Sequence, residues 1–87
     1  MSYSLVIAGD AHADIRLLQP WLQEELLDEI DILAANPPPV HFRERHKDIV
    51  YAFHRTRSGI LHRVFVTVRY NARSNSLLIL GVSHHPA

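Results

Sequence analysis

The segment VYAFHRTRSGILHRVFVTV, from Val50 to Val68, constrains this chain more than any other. Two runs rich in β-branched and aromatic residues flank a Ser58–Gly59 pair, the pattern of a β-hairpin closed by a two-residue turn. Such a turn sets the pairing, with Arg57 opposite Ile60 and His54 opposite Arg63. Side chains alternate across a strand, so the pairing sorts the hairpin into two faces. One face carries Ile49, Tyr51, Phe53, Val64, Val66 and Val68 and is apolar. The other carries Val50, Ala52, His54, Thr56, Leu61, Arg63, Phe65, Thr67 and Arg69. A slip of one residue would exchange the faces and bury the charges, so burial of the apolar set enforces the register.

An apolar sheet face needs a cover, and the first half of the chain supplies helices. Tyr3–Ala8 reads as a short strand bounded by Gly9 and Asp10. Asp10 is the expected N-cap of a short helix over Ala11–Leu18. Pro20 ends that helix and suits the first turn of another. Leu22, Leu26, Leu27, Ile30, Leu33 and Ala34 then recur at three- and four-residue spacing, an amphipathic stripe. Asn36 and Pro37–Pro39 stop it. The charged stretch Val40–Asp48, with Arg43, Arg45 and Lys47, reads as a solvated loop. Beyond the hairpin, Asn71–Asn75 reads as a turn. Ser76–Val82 is a near-continuous apolar run, expected to be a central strand covered on both faces. The order predicts an α+β fold: an N-terminal strand, a two-helix hairpin, then a three-stranded antiparallel meander, with the helices on one face of the sheet.

The length of 87 residues predicts one domain spanning 1–87. No apolar run approaches the roughly 20 residues of a membrane span, so no membrane association is expected. The start MSYSLVIAGDAHAD lacks the basic region of a signal peptide. The chain has no cysteine, which excludes disulfides and thiolate metal sites and fits a reducing cytoplasm.

The formal net charge of zero hides a division. Residues 1–40 hold seven acids against one base, whereas residues 41–87 hold two acids against eight bases and six of the seven histidines. The second half is therefore suited to a polyanion. An acidic helix attracting a basic sheet satisfies the same division. On the polar hairpin face, Arg63 has the two-pronged donor geometry that suits a phosphate. His54 beside it can move a proton near neutral pH. Phe65 could stack on an unpaired base, and Arg69 lies further along the same face. Arg55, Arg57 and His62 cluster near the turn, where exposure costs nothing, and could extend a phosphate path. Trp21, at a helix start, reads as a packing residue.

The ordered combination of YSLVIAGDAHADIRLL, a helix ending in LAANPP, VYAFHRTRSGILHRVFVTV and LLILGVSHH resembles the RelE/ParE family of toxins from bacterial type II toxin–antitoxin systems, also called the plasmid stabilisation family. The resemblance covers nearly the whole chain, and the short helical hairpin is more RelE-like than ParE-like. It implies a small sheet with a basic face, no cofactor, and a cognate antitoxin that wraps the toxin. RelE-type members cleave messenger RNA on the ribosome, whereas ParE-type members bind DNA gyrase without chemistry. A catalytically degenerate member is a third reading, and the resemblance leaves a homodimer open.

Carried over by position, Arg63 falls where the family has its strand arginine, expected to hold the scissile phosphate. Ala52 and His54 fall where RelE-like nucleases place two basic residues, so one base is missing. His84 or His85 falls near the residue that ends the last strand and serves as acid. The tyrosine that many nuclease members carry past it has no counterpart up to Ala87. The catalytic set so implied is His54 as base, Arg63 as phosphate stabiliser, and His85 or His84 as acid. Arg55, Arg57, His62, Phe65 and Arg69 are the expected RNA contacts. A zinc site is the chemical rival for seven histidines, but His84 and His85 point to opposite faces of a strand, and no HExxH-type spacing exists.

Overall fold

The computed structural model describes residues 3–36 and 48–86. The charged stretch with Arg43, Arg45 and Lys47 lies outside them. The elements are β1 (Ser4–Ile7), α1 (Gly9–Arg16), α2 (Pro20–Ala35), β2 (Ile49–Arg57), β3 (Ile60–Asn71) and β4 (Ser76–Pro86). They build a four-stranded sheet in the order β1-β4-β3-β2, with β1 parallel to β4 and the other pairs antiparallel. This is the α+β arrangement expected from the sequence. No helix among the described residues is long and apolar enough to cross a membrane.

The β2–β3 hairpin has the predicted register, Arg57 opposite Ile60 and His54 opposite Arg63. Its turn residues Ser58 and Gly59 have φ of 52° and 77°. Positive φ at both central positions defines a type I′ turn, whose twist matches that of paired strands. At the second turn, Asn71 Oδ1 accepts hydrogen bonds from the backbone N–H groups of Arg73 and Ser74, which closes the loop locally.

Pro20 occupies the first turn of α2 as expected, its missing N–H costing nothing there. The buried stripe of α2 is narrower than the apolar pattern: Leu22, Leu26, Ile30 and Ala34 are buried, whereas Leu27 is exposed. The strict four-residue spacing places one side chain per turn on the sheet. α1 starts earlier than predicted. Ala8 is its N-cap without a side-chain bond, and Asp10 sits inside the first turn, where its charge favours the helix dipole.

The helices lie against Phe53, Val64, Val66, Val68, Leu77, Ile79 and Val82, which with the α1 and α2 stripes form the core. Tyr51 and Ile49 pack against its margin. The expectation that the last strand is covered on both faces is not met. Leu77 and Ile79 are buried, while Leu78 and Leu80 between them are half-buried, because both helices lie on one side.

β4 is longer than predicted and runs on through His84 and His85 to Pro86. Its pairing with β3 is broken once, between Thr67 and Val68: Thr67 faces Gly81 but Val68 faces Ile79, which leaves Leu80 as an extra residue. Such a bulge shifts the alternation by one. Before it, odd-numbered residues of β4 point to the helices. After it, even-numbered ones do, as the burial of Val82 records.

Candidate functional site: a cross-strand histidine–arginine–histidine row

The bulge decides the geometry of the open face. Beyond it, His85 is the cross-strand partner of Arg63, and Arg63 is the partner of His54. Three strands thus present His54, Arg63 and His85 in one row, all exposed and all directed away from the helices. Neighbouring strands lie about 4.8 Å apart, so the outer two members stand roughly 10 Å apart at the backbone with the guanidinium between them. Among the described residues, Arg63 has neither an ion pair nor a hydrogen bond from its guanidinium to the protein. A cation with five free donors is a good receptor for an oxyanion.

His85 is held on two sides. Its ring meets Phe65 edge-to-face with centroids 5.4 Å apart, and its Nε2 lies 3.3 Å from Ser83 Oγ. Ser83 faces Phe65 across the ladder, so the two residues that orient His85 are themselves neighbours. Sequence alternation with an unbroken strand hides Ser83 from this face. Phe65 is half-buried, and part of its ring remains available to stack on a planar group. Ala52, on the same face opposite Phe65, leaves an apolar floor where a second base is absent.

Other expected contacts lie elsewhere. Arg69 does share the open face, but its Nε donates to Asp48 Oδ1 at 2.7 Å, and this carboxylate raises the Arg69 pKa. It also sits six residues along β3 from Arg63, roughly 20 Å away. Arg55, Arg57 and His62 point to the helix side, because their pairing partners alternate with those of the row. Arg55 donates from Nε to Glu25 Oε2 at 3.2 Å and from Nη2 to Glu29 Oε1 at 2.6 Å. Its pKa is raised, chiefly by the hydrogen bond to Glu29. The hydroxyl of Tyr51 donates to the other oxygen of Glu29 at 3.1 Å. The acidic helix and basic sheet therefore do attract each other, and Arg55 is the residue that joins them.

Arg57 lies over the Trp21 ring, 4.7 Å from its centroid, a cation–π contact between the hairpin tip and the start of α2. His62 corrects the expectation of exposure near the turn: it is only 8% exposed. Its Nδ1 lies 2.9 Å from Nε2 of His84, the two rings are stacked at 17°, and Trp21 meets His62 edge-on at 5.1 Å. The alternatives His84 and His85 are thus separated by alternation, and the bulge decides which way each points, His84 to the helix side and His85 into the open row. Burial, then the charges of His62 and His85, lower the His84 pKa below its ordinary value. Two clefts flank this pair on the helix side. One of about 340 Å³ is bordered by Trp21, Arg57, Ile60 and His62, and one of about 230 Å³ by Asp14, Leu18, Val82 and His84. Among the described residues, no three potential metal ligands stand together.

No family model matches the sequence, and no curated protein matches it. Solved structures do. A doubly substituted variant of the Escherichia coli toxin RelE in the free state superposes with a TM-score of 0.70 at 16% identity, covering 95% of this chain and 83% of that one. A chain of the Mycobacterium tuberculosis toxin–antitoxin complex RelBE2 superposes with a TM-score of 0.66, also at 16% identity, covering 98% and 93%. The chain therefore has the RelE fold, over nearly its whole length.

Proposed function

We propose that this chain is the toxin of a type II toxin–antitoxin pair and acts on RNA in the manner of RelE. The row His54–Arg63–His85 carries the reading. RNA cleavage without a metal needs attack of a ribose 2′-oxygen on the adjacent phosphorus. A base takes the 2′-proton, and a cation holds the non-bridging oxygens. An acid protonates the departing 5′-oxygen as the P–O5′ bond breaks. The entering and leaving oxygens stand on opposite sides of the phosphorus. A base and an acid flanking a central guanidinium match that requirement.

In this reading His54 accepts the 2′-proton, Arg63 binds the phosphoryl oxygens, and His85 donates to the 5′-oxygen. The products are a 2′,3′-cyclic phosphate and a 5′-hydroxyl, so atoms and charge balance without a cofactor. Phe65 offers a stacking surface to the base beside the scissile bond. The likeness to a chain from a toxin–antitoxin complex supports an antitoxin as partner.

The test is induced expression in bacteria of the native protein and of His54→Ala, Arg63→Ala and His85→Ala, with transcript mapping and plasmid supercoiling measured in parallel. New transcript ends that vanish in each variant are expected. Growth arrest with relaxed plasmids and intact transcripts would replace this reading by gyrase binding. Unimpaired growth and intact transcripts would indicate a degenerate member.

A further inference from the structure

The last residues of β4 are held by less than its first ones. Among the described residues, β1 pairs with β4 only from Ser76 to Ile79, and from Leu80 onward β4 has a strand neighbour on one side alone. The segment that carries His85 thus depends on β3 and on side chains for its placement. One such side chain is His84, which reaches beneath the sheet to His62 at 2.9 Å. His62 is itself fixed by burial and by Trp21 at the start of α2.

We infer that the His62–His84 pair is a proton-sensitive clasp that positions His85 beside Arg63, and that protonating both rings releases it. The inference rests on the reading of the open row only for its consequence in binding RNA. The chemistry of the clasp is independent of that reading. A hydrogen bond between Nδ1 and Nε2 needs one proton between two lone pairs. The pair makes this bond when neutral or when it carries a single added proton. With both rings cationic, two N–H groups oppose each other at the same contact and the bond is lost. Because His84 and His85 are sequence neighbours on opposite faces, any movement of one turns the other.

The surroundings favour release on acidification. Arg55 pairs with His62 across the ladder, although Glu25 and Glu29 engage its charge. Arg57 lies on Trp21, which contacts His62. His85 adjoins His84 along β4. From α1, Asp14 borders the same cleft as His84, but its Oδ2 is occupied by the N–H of Val82. α2 presents Trp21, which carries no charge. Burial first, then the charges of His62 and His85, oppose a second proton, in line with the lowered His84 pKa.

The experiment is NMR of the whole chain between pH 7.5 and 5.0. It records amide exchange at Ser83, His84 and His85 and the imidazole signals of His85, with fluorescence of Trp21, the single tryptophan. In the native protein, exchange at these amides should rise roughly fivefold beyond its intrinsic pH dependence as the second proton binds, the equivalent of one lost hydrogen bond. His62→Asn keeps a donor near the Nδ1 position without a titrating ring, and in it the pH step should disappear while protection at pH 7.5 remains. His62→Ala should show the fast exchange at both pH values. Circular dichroism of each variant separates release from unfolding. A flat native profile, or unchanged exchange in His62→Ala, would overturn the inference. If the clasp behaves as described but Arg63 binds no RNA oligonucleotide at any pH, the functional reading fails and the clasp stands.

Discussion

The carboxylate of Asp14 on α1 accepts a hydrogen bond at 3.0 Å from the backbone N–H of Val82 on β4. Val82 lies just past the bulge, where β1 no longer covers the strand. A helix side chain thus meets the strand where its pairing with β1 has ended. Removing it would leave a part-buried backbone donor unpaired, which is costly. Asp14→Ala is expected to destabilise by about 1–2 kcal/mol in urea titration. Asp14→Asn, which keeps the acceptor, should lose less than half as much. Equal losses in the two variants would show that the bond contributes nothing.

Arg55 and Arg63 are eight residues apart on one hairpin and face opposite ways, so their removal should separate stability from binding. Arg63→Ala is expected to leave the urea midpoint unchanged while weakening binding to a short single-stranded RNA. The salt dependence of that binding should fall by about one counterion. Arg55→Ala leaves Glu29, among the described residues, with the Tyr51 hydroxyl alone and should cost about 1 kcal/mol, the Arg55 side chain being about a third exposed. RNA affinity should not change. The reverse pattern would move the anion surface to the helix side.

The lowered pKa of His84 makes stability depend on pH in one direction. The unfolded chain binds a proton at this site near pH 6.5, while the folded chain resists it. Stability is therefore full above about pH 6.5 and declines as the pH falls from there toward the lowered folded value. His84→Phe should flatten that part of the profile in thermal melts taken from pH 7.5 to 5. An unchanged slope in the variant would assign it to another group.

Gly59 has φ of 77° at the second position of the hairpin turn. An added Cβ would meet nothing within 4 Å, so any cost is conformational. Gly59→Ala should destabilise by about 1–2 kcal/mol through the left-handed backbone alone. Ser58→Gly, at φ of 52°, relieves strain but loosens the unfolded chain, and should change stability by less than about 1 kcal/mol.

In the core, Leu26 is fully buried in the α2 stripe. Leu26→Ala should cost roughly 3 kcal/mol in urea titration, the usual penalty for a buried leucine cavity. A loss below about 1 kcal/mol would mean that the helix can settle onto the sheet.

The hairpin was readable from its residues because two independent constraints agree. A two-residue turn and an apolar face permit a single register, and His54 opposite Arg63 follows from it. The α2 stripe was readable for the same reason, except that Leu27 lies just outside the strip of helix that touches the sheet. Placing Arg55 and His62 needed more than alternation. Alternation puts both on the helix side, but whether that side is covered near the turn depends on how far α2 reaches. At 16 residues the helix spans roughly 24 Å, and its first turn sets Trp21 against His62.

What the residues alone determined is the local part: which segments form strands and helices, which hairpin face is apolar, and that His54 and Arg63 share the polar one. Each follows from interactions between near neighbours in the chain. The side to which His85 points was settled elsewhere. Counted from Leu77 and Ile79, an unbroken strand would send it beneath the helices. The single extra residue at Leu80 reverses that count, and it lies where the β1 pairing ends and just before the strand meets the Asp14 carboxylate. β1 and Asp14 are distant from β4 in sequence, so the third member of the row is a product of assembly.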